Sequence, residues 1–194
     1  MATGPAPRWP EPPALIEGVR LRLRRTMPDD AAALFALVDD TEVMRFLDWP
    51  HPSGVAETRV HLQAVDERWA RGQEHQYLVV RKADGVALGT IAFRPRGHTA
   101  DFGYVLGRAH WGQGYGTEAA RLLVGWLQRQ HALVRLWATC DAHNTASAHV
   151  LQAAGLQQEA LMRRASVRPN LGGAIRDTLL FAWVREDEPK APTA

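Results

Sequence analysis

The sequence predicts a single mixed α/β domain whose central sheet is mostly antiparallel and flanked by helices. Three observations lead there. The chain has 194 residues, 46% of them hydrophobic, which suits one substantial core with short appendages. Segments of strand and helix character follow one another as strand, helices, three strands, helix, strand, helix and two strands. The three consecutive strands read as a meander, because the first two are joined only by Ala83, Asp84 and Gly85, a hairpin turn signal that leaves no room for a parallel crossover.

Five of the twelve prolines fall before Leu15, so residues 1–14 are expected to form a Pro-rich flexible arm, residues 15–186 the domain, and residues 187–194 a flexible tail. Within the domain, VRLRLRR alternates Val19, Leu21 and Leu23 with three arginines, the pattern of a half-buried first strand whose arginines face water. DDAAALFALVDD and TEVMRFL read as one helix or two short ones. The stretch from Val55 reads as a longer helix ended by Gly72. HQYLVVRK, VALGTIAFRP and TADFGYVLG are the meander. TEAARLLVGWLQRQ places Ala119, Leu122, Leu123, Trp126 and Leu127 on one helix face, VRLWATC is a further strand, and TASAHVLQAAG is the last helix. Residues 156–167 and 174–184 form two closing strands around RPNLGG.

Between the third meander strand and its helix lies HWGQGYGTEA, with Gly112, Gly114 and Gly116 at every second position. Glycine at that density adds nothing to a core but lets backbone N–H groups approach a ligand. At a strand-to-helix junction those groups combine with the positive end of the helix dipole, which suits a phosphate or pyrophosphate. A nucleoside-triphosphate loop is excluded because no Gly-Lys-Ser/Thr follows. The dinucleotide fingerprint is excluded because Thr117 occupies its third glycine position.

YVLGRAHWGQGYGTEA resembles the acyl-CoA pyrophosphate loop of the GNAT superfamily of N-acetyltransferases, with Trp111 in the first slot of the family pattern, Gly114 in the second and Gly116 in the third. Tryptophan in the first slot departs from the general pattern and is similar to the branch that acetylates the N-terminal alanine or serine of ribosomal proteins. NTASAHVLQAAGL matches a second family segment, with Asn144, Ser147 and Leu151 on one helix face. The resemblance spans about residues 19–184 and implies a sheet splayed between its fourth and fifth strands. It implies acetyl-CoA as co-substrate, held by Tyr104, Val105, Leu106, Trp111, Gly112, Gln113, Gly114, Tyr115, Gly116, Thr117, Asn144 and Ser147. It also implies an amine acceptor, and a homodimer is common in the family.

Acetyl transfer to an amine needs a neutral nitrogen, stabilisation of the carbonyl oxygen and a hydrogen bond or proton for the departing thiolate. The resemblance puts a backbone N–H near Val105 or Leu106 on that oxygen. Many family members use a tyrosine for the thiolate where this chain has Leu151, so Ser147 becomes the candidate, against a plain helix-surface serine. Asp101 matches a glutamate of the ribosomal-protein branch; it is the candidate base or ammonium anchor, against a structural aspartate. His75 and His110 are fallback bases. Two other readings are an acyl-CoA-binding sensor without turnover, and a transferase for another acyl group.

The single Cys140 sits in an apolar run and reads as core, so a ternary complex is expected rather than an acyl-enzyme. A net charge of +2 without a basic block argues against nucleic acid, and the eight histidines show no metal-ligand spacing. No run of apolar residues is long enough for a membrane span, so a cytoplasmic location is expected. Acceptor specificity is expected from the early helices, with the FLDWPHPSG segment as a loop over the cleft, and from the late hairpin around residues 168–176.

Overall fold

The computed structural model describes residues 9–186, so the expected tail and the first part of the expected arm lie outside the described residues. The strands are β1 (Leu15–Glu17), β2 (Leu21–Arg25), β3 (His75–Arg81), β4 (Ala87–Arg96), β5 (Thr99–Leu106), β6 (Arg135–Asp141), β7 (Gln157–Arg168) and β8 (Ala174–Val184). The helices are α1 (Ala31–Val38), α2 (Thr41–Met44), α3 (Val55–Ala70), α4 (Tyr115–Gln128) and α5 (Thr145–Ala153). The strands make one eight-stranded sheet in the order β1-β2-β3-β4-β5-β6-β8-β7, antiparallel except between β5 and β6.

β1 is the strand that sequence reading omits. Three residues cannot establish a period-two pattern, and Leu15–Glu17 gains its conformation by pairing with Arg22–Arg24. Residues 9–14 are not loose chain either. The Trp9 indole N–H donates to the Gly97 carbonyl at 2.8 Å, and the Pro13 carbonyl accepts from the Tyr77 hydroxyl at 2.9 Å. The first strand's arginines only partly face water: Arg24 pairs with Asp30 at 2.5 Å, and Arg20 crosses to Glu118 on α4 at 2.7 Å.

The sheet has two differently covered faces. Leu21, Leu23, Tyr77, Ile91, Phe93 and Leu136 point to the face covered by α4 and α5, where Ala119, Ala120, Leu123, Val124 and Leu127 form the buried stripe of α4. Leu122 and Trp126 pack at the margin of that stripe rather than within it. Each fully buried leucine contributes about 2 kcal/mol from lost apolar exposure, so this contact holds α4 firmly. The opposite face takes α1, α2 and α3 through a smaller core of Ala31, Leu34, Val38, Met44 and Leu62, with Val105 packed on it.

The expected splay lies where the fold places the one parallel pair. β5 and β6 are in register only through Thr99–Arg135, Ala100–Leu136 and Asp101–Trp137; beyond that the two strands part. Downstream of Asp101 the sheet therefore contains a gap with α4 and α5 on one side and α1–α3 on the other.

His75 is buried between Trp69 and Phe93, with ring centroids 4.8 Å away in each case, and its Nδ1 has no hydrogen-bond partner. Burial is the main cause that pushes its pKa down to about 4 from 6.5, helped by Arg25 and opposed by Glu74. The unfolded chain thus binds this proton first on acidification. The stability the neutral ring contributes is complete above about pH 6.5 and is lost as pH falls toward 4, an amount on the order of 3 kcal/mol. Denaturant titrations from pH 7.5 to 4 should show His75→Leu losing less stability with acid than the wild type, by about one proton's worth of slope. Parallel curves would refute this account of His75.

Candidate active site

A cleft of about 1390 Å³ passes through the gap between β5 and β6 and reaches both faces of the sheet. Of the sequence-predicted residues, Asp101, Tyr104, Val105, Leu106, Trp111, Gly112, Gly114, Tyr115, Gly116, Thr117, Asn144 and Ser147 all line it. Gln113 does not: its side-chain amide donates to the Ala109 carbonyl at 3.0 Å, and its own carbonyl accepts from Arg20 at 3.0 Å. His110 reaches the cleft, whereas His75 is held in the aromatic core and cannot serve as a base there.

The glycine stretch does what its spacing requires. Gly112 and Gly114 have φ of +71° and +77°, in the left-handed region that side chains with a Cβ rarely adopt. The second of these turns is the N-cap of α4, so the helix begins at Tyr115, two residues earlier than its sequence pattern suggests. The first internal bond of α4 runs from the Glu118 N–H to the Gly114 carbonyl; among the described residues, the N–H groups of residues 112–117 have no protein acceptor. They form a run of free donors at a helix N-terminus. Gly116 serves a different need: a Cβ there would stand 3.3 Å from Leu106 Cδ1 and 3.4 Å from Val150 Cγ2, so its absence lets α4 close against β5 and α5.

Two side chains brace this loop. The Trp111 indole N–H donates to the Leu106 carbonyl at 2.8 Å, tying the loop to the end of β5. The tryptophan of the first slot thus acts as a staple. Arg20 lies 4.6 Å over the Tyr115 ring while bonding Glu118 and the Gln113 carbonyl, which fixes the first turn of α4 to the start of β2.

Strand parity decides which amides face the gap. The Gly107 N–H bonds the Leu88 carbonyl, so in the regular β4–β5 ladder the backbone groups of Gly107, Val105 and Gly103 turn toward β4. Those of Tyr104 and Leu106 turn the other way, into the gap left by β6. Of the two amides expected at the thioester oxygen, that of Leu106 therefore faces the gap and that of Val105 faces β4.

Parity also separates the two predicted catalytic side chains. Tyr104 and Ser147 are on the α4/α5 side, where the Tyr104 hydroxyl donates to Ser147 Oγ at 3.3 Å. Burial pushes the Tyr104 phenol up to about 12, so it stays protonated at neutral pH. The Asn144 side chain caps α5 by accepting from the Ser147 N–H at 3.1 Å. Cys140 lies beside Ser147, and burial raises its thiol to about 11, which suits a core residue and not a nucleophile.

Asp101 is on the α1–α3 side, nearly buried, with Oδ2 held by the Arg94 guanidinium, whose Nε donates at 2.7 Å. Arg94 continues to Glu74 at 3.2 Å. Asp101 Oδ1 is buried without a hydrogen-bond partner, its nearest cation being Arg96 at 3.4 Å in poor alignment. The residues that hold Asp101 carry no spacing signal and are found only in the fold. The same is true of Asn170 in the β7–β8 connection. Its side chain donates to the Met44 and Trp49 carbonyls at 2.9 Å each and accepts from the His51 N–H at 3.0 Å, fastening the FLDWPHPSG segment along the cleft. Asp177, at the same hairpin, accepts from the Arg164 N–H at 2.8 Å and stabilises the bulged strand.

Among the described residues, no cluster of three or more His, Cys, Asp or Glu side chains could hold a metal ion, and no helix is long and apolar enough to cross a membrane.

The model of the acetyltransferase (GNAT) domain matches residues 20–157. The uncharacterized N-acetyltransferase p20 of Bacillus licheniformis is 29% identical over 171 residues, covering 87% of this chain and 94% of its own. RimL, a ribosomal L7/L12 alpha-N-protein acetyltransferase solved with coenzyme A, superposes with a TM-score of 0.79 at 25% identity, covering 88% of this chain and 97% of RimL. The microcin C7 self-immunity acetyltransferase MccE, solved with acetyl-CoA and AMP, shares the fold with a TM-score of 0.78 at 18% identity, over 87% and 94% of the two chains. The chain thus belongs to the GNAT family, as an acyl-CoA-dependent N-acetyltransferase.

Proposed function

We propose that the protein transfers the acetyl group of acetyl-CoA directly to a primary amine in a ternary complex. The observation that carries this reading is the run of free N–H groups at residues 112–117 beside a gap lined by outward-turned amides of β5. A diphosphate fits the first and an acylated pantetheine arm the second. RimL, of the same fold, holds coenzyme A.

In this reading the Leu106 N–H bonds the thioester oxygen. The amine approaches from the α1–α3 side, where the unpartnered Oδ1 of Asp101 anchors the ammonium ion, directly or through water, and its proton passes on through water to solvent. The nitrogen lone pair attacks the carbonyl carbon, the C–S bond breaks with its electron pair passing to sulfur, and the nitrogen gives up its second proton to water to leave the neutral amide. Ser147, backed by the Tyr104 hydroxyl, donates a hydrogen bond to the forming thiolate. Complete proton transfer from a phenol near 12 to a thiolate near 8.5 would run several kcal/mol uphill, so the pair stabilises the leaving group and solvent supplies the proton. Arg94, occupying Oδ2, orients Asp101.

Two experiments test the assignment. Gly112→Asp and Gly112→Asn carry nearly the same backbone strain, and a Cβ at Gly112 meets nothing within 4 Å, so they differ chiefly in charge. Acetyl-CoA should raise the melting temperature of the wild type and of the Asn variant, with most of the shift lost in the Asp variant. Equal shifts in all three would remove the anion from this loop. Separately, Ser147→Ala should lower kcat about 10- to 100-fold with little change in KM for acetyl-CoA, and Asp101→Asn should lower kcat/KM for the amine by at least as much. Unchanged kcat in Ser147→Ala would return that serine to the helix surface.

A further inference from the structure

The wall of the cleft opposite Asp101 carries an arginine that the transfer chemistry does not use. Asp141, at the end of β6, has a fully buried side chain and faces the α1–α3 side by the same parity as Asp101, with which Trp137 is in register. Its carboxylate accepts from Arg176 at 2.9 and 3.1 Å and from the His143 N–H at 2.9 Å. Arg168, at the end of β7, reaches the same carboxylate only through Nε and only at 3.4 Å. Against the burial that would raise it, Arg176, the His143 N–H and, last, Arg168 hold Asp141 below the usual carboxylate range, so its charge is met chiefly by Arg176.

Arg168 is 5% exposed and lines the cleft, yet neither of its terminal NH₂ groups has a hydrogen-bond partner among the described residues. A guanidinium that has given up most of its hydration normally meets an oxyanion through two parallel N–H bonds. Here its best donor pair is unused, in a residue that lines the cleft. Arg176 satisfies Asp141 without it, and Asn170, two residues on, fastens the hairpin that carries it.

We infer that Arg168 recognises a carboxylate or phosphate on the acceptor, making the preferred substrate an amine that also carries an anionic group. This rests on the acetyl-transfer reading and adds to it the charge type of the acceptor: Asp101 meets the ammonium ion on one wall, and Arg168 meets the anion on the other.

The test uses matched acceptor pairs that differ in one charge: an aminoalkanoate and its amide, a phosphorylated amino alcohol and its unphosphorylated form, and short peptides with aspartate or asparagine after the N-terminal residue. In the wild type at least one anionic member should exceed its neutral partner about tenfold or more in kcat/KM. The carboxylate and phosphate pairs tell the two sources apart. Arg168→Gln should raise KM for that anionic acceptor about 10- to 100-fold, leave the neutral partner within about twofold, and leave the melting-temperature shift with acetyl-CoA intact. Arg168→Lys should recover part of the loss. Calorimetric binding of the anionic acceptor to wild type and Arg168→Gln reads the same contact without turnover. Arg168-dependent binding with no acetylation would support anion recognition while refuting the transfer reading. Acetylation with no charge preference, or equal losses for both members of a pair, would overturn the role of Arg168 and spare the transfer reading. Loss of the acetyl-CoA shift in Arg168→Gln would also overturn it, by assigning the guanidinium to the cofactor.

Discussion

The early end of the β5–β6 pairing is the constraint on which the rest of the site depends. Three residues of parallel register hold the two halves of the sheet together, and beyond Asp101 the strands diverge. A continuous sheet would have consumed the amides of Tyr104 and Leu106 in another ladder. Because it stops, those groups remain available in a narrow channel walled by protein on both faces. Buried backbone donors without partners are costly, so such an opening persists only where surrounding packing enforces it. That packing comes from α4, whose leucine stripe is anchored on β2–β5, and from Gly116, which lets its first turn lie directly against Leu106.

Electrostatics divides the channel into two kinds of surface. On the α4/α5 side the polar groups are neutral hydroxyls, amides and the start of a helix, which suit a cofactor with one anionic segment and a long polar arm. On the α1–α3 side the groups are charged and pinned. Asp101 is held by Arg94, and Arg94 by Glu74; Asp141 is held by Arg176 and more loosely by Arg168. Burying either carboxylate alone would be strongly unfavourable. Each pinned pair therefore fixes a wall, and each leaves atoms without a partner, Asp101 Oδ1 and the Arg168 termini, in residues that line the channel.

The loop from Met44 to His51 joins these walls through Asn170, so the late hairpin both supplies charge and fixes the covering on the α1–α3 side. Three hydrogen bonds from one side chain connect segments more than a hundred residues apart in the chain. Nothing in the local pattern RPNLGG, which reads as a turn, announces that role.

What the sequence by itself determined is the part governed by local stereochemistry. The alternation of apolar residues in β2, the stripe of α4 and the positive-φ glycines at 112 and 114 are short-range requirements, and each is written in consecutive residues. So is the Asn144 cap that orients Ser147. Tertiary structure alone decided the rest. It paired the three residues of β1, took His75 into an aromatic core, and turned Trp111 into a staple for Leu106. It also put Asp101 and Ser147 on opposite sides of the sheet and surrounded Asp141 with arginines from the distant β7 and β8. Those outcomes depend on strand order and ladder parity, which come from burying one face of each element against another. No spacing within a single segment encodes them.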